Sequence, residues 1–414
     1  MLSTSDLRAD EKTVRRLTEL RRKLHAMPEL GFQERKTAAF VANQLDSAPF
    51  LGDELKIDVA KTGVVTTLRG KLPGRCVLVR ADMDGLPLKE ESELPFRSRH
   101  DGVMHACGHD VHMAIALTLA QDLSVNTHRL PGTVRFIFQP AEELAGGAQP
   151  MIEAGVLDGI DRVIGLHVWA GLPTGQVSVR PGPMMASADW FTLTVEGKGG
   201  HGAQPHLTVD PVVISAQIIT ALQTLVSRET SPIAPVVLTL GSIRGGTAHN
   251  IVASGVVIEG TLRTFDAELR RTLLRRIEGL AQGIAGAMRG TATFRQESGA
   301  PPVVNDEVVA ALVAGAARTV VGADNLTAFE PLMVGEDVSY FLEQRPGCFF
   351  LLGGAPAGPP VVHHTAAFRI DERCLAIGYE VMAASLLRLL EEEYRAVVSN
   401  IKGSSNAASD SPLT

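Results

Sequence analysis

The sequence predicts an α/β fold in two domains: a discontinuous domain built on a helix-covered sheet, interrupted by a smaller β-α-β-β-α-β domain. Three observations carry this. Short β-rich runs alternate with helical ones in the first part of the chain, the order β-α-β-β-α-β occupies roughly residues 187–298, and the alternation resumes after Pro301-Pro302. The 414 residues exceed what one core usually organises, and a hydrophobic content of 45% supplies apolar surface for two.

From residue 10 to about 51 the apolar positions recur at helical spacing. Strands are then expected at 64–68 and 75–80, a helix from about 111, and strands at 132–138 and 163–167. Polar clusters follow these strands: Asp82-Met83-Asp84 after one, Gln139 to Glu143 after another, and His167 closing a third. Catalytic groups of such sheets usually occupy that position. The pattern changes near Ser187, where a strand at 189–195 leads through a Gly-rich turn into a helix at 210–229. Strands at 236–243 and 251–265, a helix at 267–289 and a strand at 291–296 complete a split βαβ unit, a small sheet with two helices on one face. A helix at 307–321 and a strand at 348–352 return to the first pattern. The expected domains are therefore 1–186 and 299–398 for the discontinuous one and 187–298 for the insertion. The tail 399–414, rich in Ser, Asn and Ala, has little to bury and is expected to be disordered.

A net charge of −7, aromatics at 5% and the lack of any basic block argue against a nucleic-acid partner. The N-terminal segment is charged and helical in pattern rather than a signal peptide, and no apolar run reaches the ~20 residues that span a bilayer. A cytoplasmic protein without a membrane partner is expected. Four cysteines, Cys76, Cys107, Cys348 and Cys374, are too scattered for a disulfide framework, and a reducing compartment keeps Cys107 available as a thiolate.

The chemistry concentrates in His105-Ala106-Cys107-Gly108-His109-Asp110, which packs a thiol and two imidazoles beside a carboxylate, all candidate ligands for a divalent metal. Adjacent carboxylates, Glu142 and Glu143, follow an apolar strand; one can bind metal while the other reaches a metal-held water, the division of labour that metal-assisted hydrolysis requires. Alone, this pair reads more readily as a solvated acidic loop and His167 as a core histidine, while His363-His364 is ambiguous. Together, Cys107, His109, Glu142, Glu143, His167 and His364 supply five ligands and one base, a set suited to two ions ~3.5–4 Å apart that share a water.

The sequence resembles the M20 metallopeptidase and amidohydrolase superfamily, in the branch of hippurate hydrolases, bacterial N-acyl-amino-acid amidohydrolases and plant auxin-conjugate hydrolases. The resemblance runs from about residue 15 to 390. Its carriers are the segments 25–32 (HAMPELGF), 80–87 (RADMDGLP), 104–110 (MHACGHD), 139–143 (QPAEE), 199–206 (GGHGAQPH) and 335–337 (GED), in that order. It implies metal ligands at Cys107, His109, Glu143, His167 and His364 and a general base at Glu142. Asp82 stands where the wider superfamily has a metal-binding His, which leaves Asp84 to orient a ligand or a water. The inserted domain is implied to be a ferredoxin-like lid and dimerisation domain. From it His201, often acting on the partner subunit's site, polarises the amide oxygen, and Asn250 resembles a second group of that kind. Arg263 is a candidate for the substrate carboxylate, with a structural salt bridge as its alternative. Two departures bear on pocket shape: Val338 where an aromatic is common, and Thr365-Ala366 in place of Asn/Ser-Pro.

The sequence is thus read as a two-metal amidohydrolase acting on a small N-acyl-L-amino acid or short peptide, with Zn, which the thiolate favours, or Mn as the metal and Co or Ni as further candidates. A homodimer through the lid, or a higher oligomer, is implied. The alternatives are a dipeptidase or carboxypeptidase of the same fold, and a ligand-binding protein that kept the fold and lost the chemistry. The pairing of Glu142 with Glu143 speaks against the last, because a binding protein has no need of a base beside its metal.

Overall fold

The computed structural model describes residues 1–51 and 54–391; the expected tail at 399–414 lies outside them. The chain divides into two compact units, the first comprising Met1–Gly182, Val304–Glu330 and the chain from Tyr340, the second Pro183–Val303 with Pro331–Ser339.

The first unit begins with helices α1 (Glu11–His25) and α2 (Arg35–Asp46) and strands β1 (Lys56–Val59), β2 (Gly63–Arg69) and β3 (Leu72–Asp82). Helix α3 (His109–Ser124), β4 (Pro131–Gln139), the short α4 (Ala148–Glu153), β5 (Arg162–Pro173) and β6 (Val177–Ser178) follow, and β7 (Gly182–Met185) carries the chain into the second unit. That unit holds β8 (Ala188–Glu196), β9 (Gly200–His201), α5 (Pro211–Thr224), β10 (Val236–Gly245), β11 (Ile251–Val252), β12 (Gly255–Thr264), α6 (Ala267–Ala287) and β13 (Thr291–Ala300). Strand β14 (Val303–Asn305) leads back to α7 (Glu307–Val321), β15 (Leu326–Thr327), α8 (Ser339–Gln344), β16 (Gly347–Ala355) and α9 (Cys374–Leu390).

The eight-stranded sheet of the first unit runs β1-β2-β4-β3-β5-β16-β6-β15. Its centre is parallel: β3 pairs in parallel with both β4 and β5, and β5 with β16. Central strands buried on both faces read as near-continuous apolar runs, as Phe349-Phe350-Leu351-Leu352 does. Helix α1 starts where Asp10 accepts a hydrogen bond from the Thr13 N–H, and it buries Leu17, Leu20 and Leu24 along one stripe. Helix α3 is buried almost all round, which fixes its first residue, His109, inside the molecule.

In the second unit the order β10-β12-β8-β13 with antiparallel neighbours is the arrangement of a split βαβ unit. Asp210 and Asp266 cap α5 and α6, each accepting from two backbone N–H groups. The inner face of α6 is Leu273, Ile277, Ala281 and Ala285, a four-residue repeat packed with Ile214, Ile218 and Leu222 of α5 over Phe191, Leu193 and Val195 of β8. Full burial of each Leu or Ile there contributes about 1.5–3 kcal/mol. Pro331–Ser339 joins this unit because Leu332 exchanges backbone hydrogen bonds with Met184 and Ala186, both 2.9 Å.

Two expectations need correction. The strand expected at 163–167 continues to Pro173, so His167 lies within β5 rather than at its end; Leu351, Leu352 and Gly353 of β16 keep His167, Val168 and Trp169 in register. The strand expected at 251–265 is two, because Ile251-Val252 pairs with Gly200-His201 while the chain from Gly255 pairs with β8 and β10.

Candidate metal centre

The parallel pairing of β3 with β4 and β5 brings the chain segments after their carboxyl ends to one edge of the sheet. Asp82 ends β3 opposite Gln139, which ends β4. Asp84 follows the first and Glu142-Glu143 the second, while His109 opens α3 and His167 projects from β5.

Gly108 allows Cys107 and His109 to serve one place. Its φ is 91°, and a Cβ there would lie 2.3 Å from Val168 Cγ1, so only glycine fits between the thiol and the imidazole. The Cys107 Sγ lies 3.4 Å from His167 Nε2 and 3.3 Å from His364 Nε2. His364 reaches this place with φ 60°, a left-handed conformation that a non-glycine residue holds only when its surroundings fix it. Glu143 Oε1 is 3.3 Å from His364 Nε2 and 3.8 Å from His109 Nε2, and Glu142 Oε2 is also 3.8 Å from His109 Nε2. Two sets of three, Cys107-His109-His167 and Cys107-Glu143-His364, each have their donor atoms within 4.8 Å of one another and share the thiol.

The hydrogen bonds fix which ring nitrogens face inward. His109 Nδ1–H donates to the Asp84 carbonyl at 2.9 Å and His167 Nδ1–H to the Val168 carbonyl at 2.7 Å, which turns both Nε2 atoms toward the cluster, where on His109 a bound cation would take the place of a proton. His112 differs: the Val168 N–H donates to its Nε2 at 2.9 Å, so its Nδ1 carries the proton and donates to Asp82 Oδ1 at 2.6 Å. The other Asp82 oxygen accepts from Arg80 Nη1 at 2.7 Å. Asp82 and His112 are thus engaged with each other and with their neighbours, and Asp84 Oδ2 accepts the Glu143 N–H at 3.0 Å.

Charge at the site favours a cation. Burial disfavours protonation of His109, yet the charge of Asp82, the hydrogen bond to Asp84 and the charge of Glu143 push its pKa up to about 10. Burial, then the neighbouring His112 and His363, hold His167 well below the usual imidazole range, so its ring is neutral and its lone pair available. His109 Nε2 and Glu143 Oε1 are buried without a hydrogen-bond partner among the described residues, a costly arrangement that a divalent ion would relieve. The residues therefore fit a metal pair. Cys107 is a buried thiol that forms no disulfide among the described residues. Peroxide is expected to inactivate the metal-free protein much faster than the metal-loaded one, with modification mapped to Cys107 by mass spectrometry. Equal sensitivity, with modification at Cys76, Cys348 or Cys374, would remove Cys107 from the ligand set.

The remaining candidates belong to the second unit. His201 is exposed on β9, and its Nδ1 accepts the Ala203 N–H at 3.1 Å. The ribbon of β9 with β11, closed by Gly202 N–H donating to Asn250 O at 2.8 Å, brings His201 and Asn250 together. Arg263 forms no ion pair among the described residues; its guanidinium lies 5.9 Å from the Trp190 ring.

Sequence reasoning missed His112 and Arg80, which lock Asp82. A histidine three residues after His109 on the same helix face was the available signal. His105, in the same motif as Cys107, stays apart: it is buried beside His25 with ring centroids 6.4 Å apart, and burial pushes its pKa down to about 4.

A model of peptidase family M20/M25/M40 matches residues 78–388. The N-acyl-L-amino acid amidohydrolase of Geobacillus stearothermophilus is 49% identical over 286 residues, 69% of this chain and 76% of that protein. The N-acetyl-L-cysteine deacetylase of Bacillus subtilis is 40% identical over 388 residues, covering 93% of this chain and 91% of that one. Among solved structures, a Bacillus subtilis dinuclear metal binding peptidase of the M20 family matches with a TM-score of 0.77 at 34% identity, over 92% of this chain and 99% of its own. With its motifs, its sheet and its cluster of donor atoms in agreement, the chain belongs to peptidase family M20/M25/M40.

Proposed function

We propose that this chain is a two-metal amidohydrolase that cleaves N-acyl-L-amino acids to a carboxylic acid and a free amino acid. The observation that carries the reading is Glu142, a carboxylate 3.8 Å from His109 and next to Glu143 at a cluster rich in ligand atoms. The names of the Geobacillus and Bacillus relatives support the substrate class.

Cys107, His109, Glu143, His167 and His364 are assigned as ligands of the ion pair, Zn or Mn. Such a pair lowers the pKa of a water toward ~7 and polarises the amide carbonyl. Glu142 takes the proton of the attacking water and returns it to the leaving amine, a transfer worth about 10²–10⁴-fold in rate. Asp84 fixes the cluster from behind, through its carbonyl on His109 and its carboxylate on the Glu143 N–H. His201 and Asn250 are assigned to the amide oxygen, where a donor placed for the developing charge lowers the barrier, and Arg263 to the substrate carboxylate, which its planar fork matches. Exposed Val237 and Ile243 on the edge strand β10 support a homodimer through the second unit. No helix among the described residues is long and apolar enough to cross a membrane, and four cysteines outside any disulfide among the described residues suit a reducing, cytoplasmic setting.

A panel of N-acetyl and N-benzoyl amino acids against dipeptides tests the substrate class. The acyl-amino acids are expected to give the higher kcat/KM; turnover of dipeptides alone would assign the site to a peptidase.

A further inference from the structure

Glu142 stands in a strained turn. Ala141, directly before it, has φ 52° and ψ 41°, and Ala145, three residues after it, has φ 47° and ψ 39°. Alanine adopts this left-handed conformation only where neighbours impose it. The turn is gripped from outside at two backbone N–H groups that bracket Glu142. Asp84 accepts the one on Glu143, and Glu34, far away in sequence, accepts the one on Ala141 at 2.8 Å.

Glu34 is fully buried at the start of α2, and its second oxygen accepts the Thr62 hydroxyl at 2.6 Å. The loop that delivers Glu34 also presses on the turn. At Gly31 a Cβ would lie 2.9 Å from Leu144 Cδ1 and 3.1 Å from both Ala141 Cα and Ala141 Cβ, so glycine backbone is packed against the very residue that Glu34 holds. An apolar side chain in place of Glu34 would leave the Ala141 N–H and the Thr62 hydroxyl without the acceptor they now share. Here its two oxygens are spent on one strand-side hydroxyl and on the N–H that sets the direction of the next residue.

We propose that Glu34 is a positioning residue for the reaction: by holding the Ala141 N–H it maintains the left-handed turn that aims the Glu142 carboxylate. The proposal rests on Glu142 being the base. Losing the grip lets Ala141 relax toward ordinary backbone angles and shifts Glu142 by an amount that matters, because a misplacement of about 1 Å costs on the order of 10²-fold in rate. Substrate affinity and the ligand atoms of Cys107, His167 and His364 do not depend on this contact, so the loss falls on kcat.

The test measures kcat, KM and metal content in Glu34→Ala and Glu34→Gln beside Glu142→Gln. Glu34→Ala is expected to lose about 10–100-fold in kcat with KM and metal content unchanged. Glu34→Gln should regain most of that loss, since its amide oxygen can accept the Ala141 N–H while its NH₂ turns to the Thr62 oxygen. A Glu34→Ala chain within twofold of the parent overturns the proposal, as does a Glu34→Gln chain as impaired as Glu34→Ala, or a loss of kcat that only follows a loss of metal. If Glu34→Ala does not fold, Glu34→Asp decides: one methylene shorter, it cannot reach both partners, and unchanged kcat in that variant overturns the proposal. An active Glu142→Gln chain would instead defeat the assignment of the base, whereas an unimpaired Glu34→Ala beside an inactive Glu142→Gln defeats only the role of Glu34.

Discussion

Glu142→Gln is expected to bind its metal as the parent does and to lose about 10²–10⁴-fold in kcat, the range a positioned general base supplies. The substitution keeps the shape of the side chain and removes its capacity to take a proton. The neighbouring contacts survive: the Ala145 N–H donates to the backbone carbonyl of residue 142, not to its side chain, and Glu143 keeps its N–H bond to Asp84. Turnover comparable to the parent, measured with a metal-saturated sample, would mean that the proton goes elsewhere.

Glu143→Gln is expected to act on the other quantity. Its Oε1 lies 3.3 Å from His364 Nε2 and 3.8 Å from His109 Nε2, buried without a hydrogen-bond partner among the described residues, so it completes the donor set that includes Cys107 and His364. A neutral amide is a poorer ligand than a carboxylate and leaves the positive charge favoured by Asp82 and Glu143 less well balanced. Metal occupancy should fall, measured by elemental analysis after dialysis, and activity should return in part when metal is added in excess. Full occupancy with no recovery would exchange the roles of Glu142 and Glu143.

The α/β alternation of the sequence is visible in the eight-stranded sheet, because parallel strands buried on both faces are short apolar runs that polar loops punctuate. Helix α9 was not singled out: thirteen of its seventeen residues are buried, so the stripe that marks an amphipathic helix is missing. The six chemically rich residues stood out in sequence because they lie in short, polar, glycine-marked segments, and the structure gathers them. What supports them was barely legible, the helical spacing of His112 after His109 being the one signal. His112 and Arg80 act on Asp82 through side-chain geometry, and Glu34 acts across 107 residues on a backbone N–H, a contact with no signature in spacing or composition. The apolar run of the sequence closes at His167, whereas the pairing of β5 with β16 that carries the strand on to Pro173 is a long-range fact.

The proposed division of labour gives one of two adjacent carboxylates the metal and the other the proton. It is tested most directly by metal equivalents per chain and kcat measured on the same samples of the parent, Glu142→Gln and Glu143→Gln. Two equivalents are expected in the parent and in Glu142→Gln with kcat lost only in the latter, and fewer than two in Glu143→Gln. Equal metal content and equal loss of rate in both variants would contradict it.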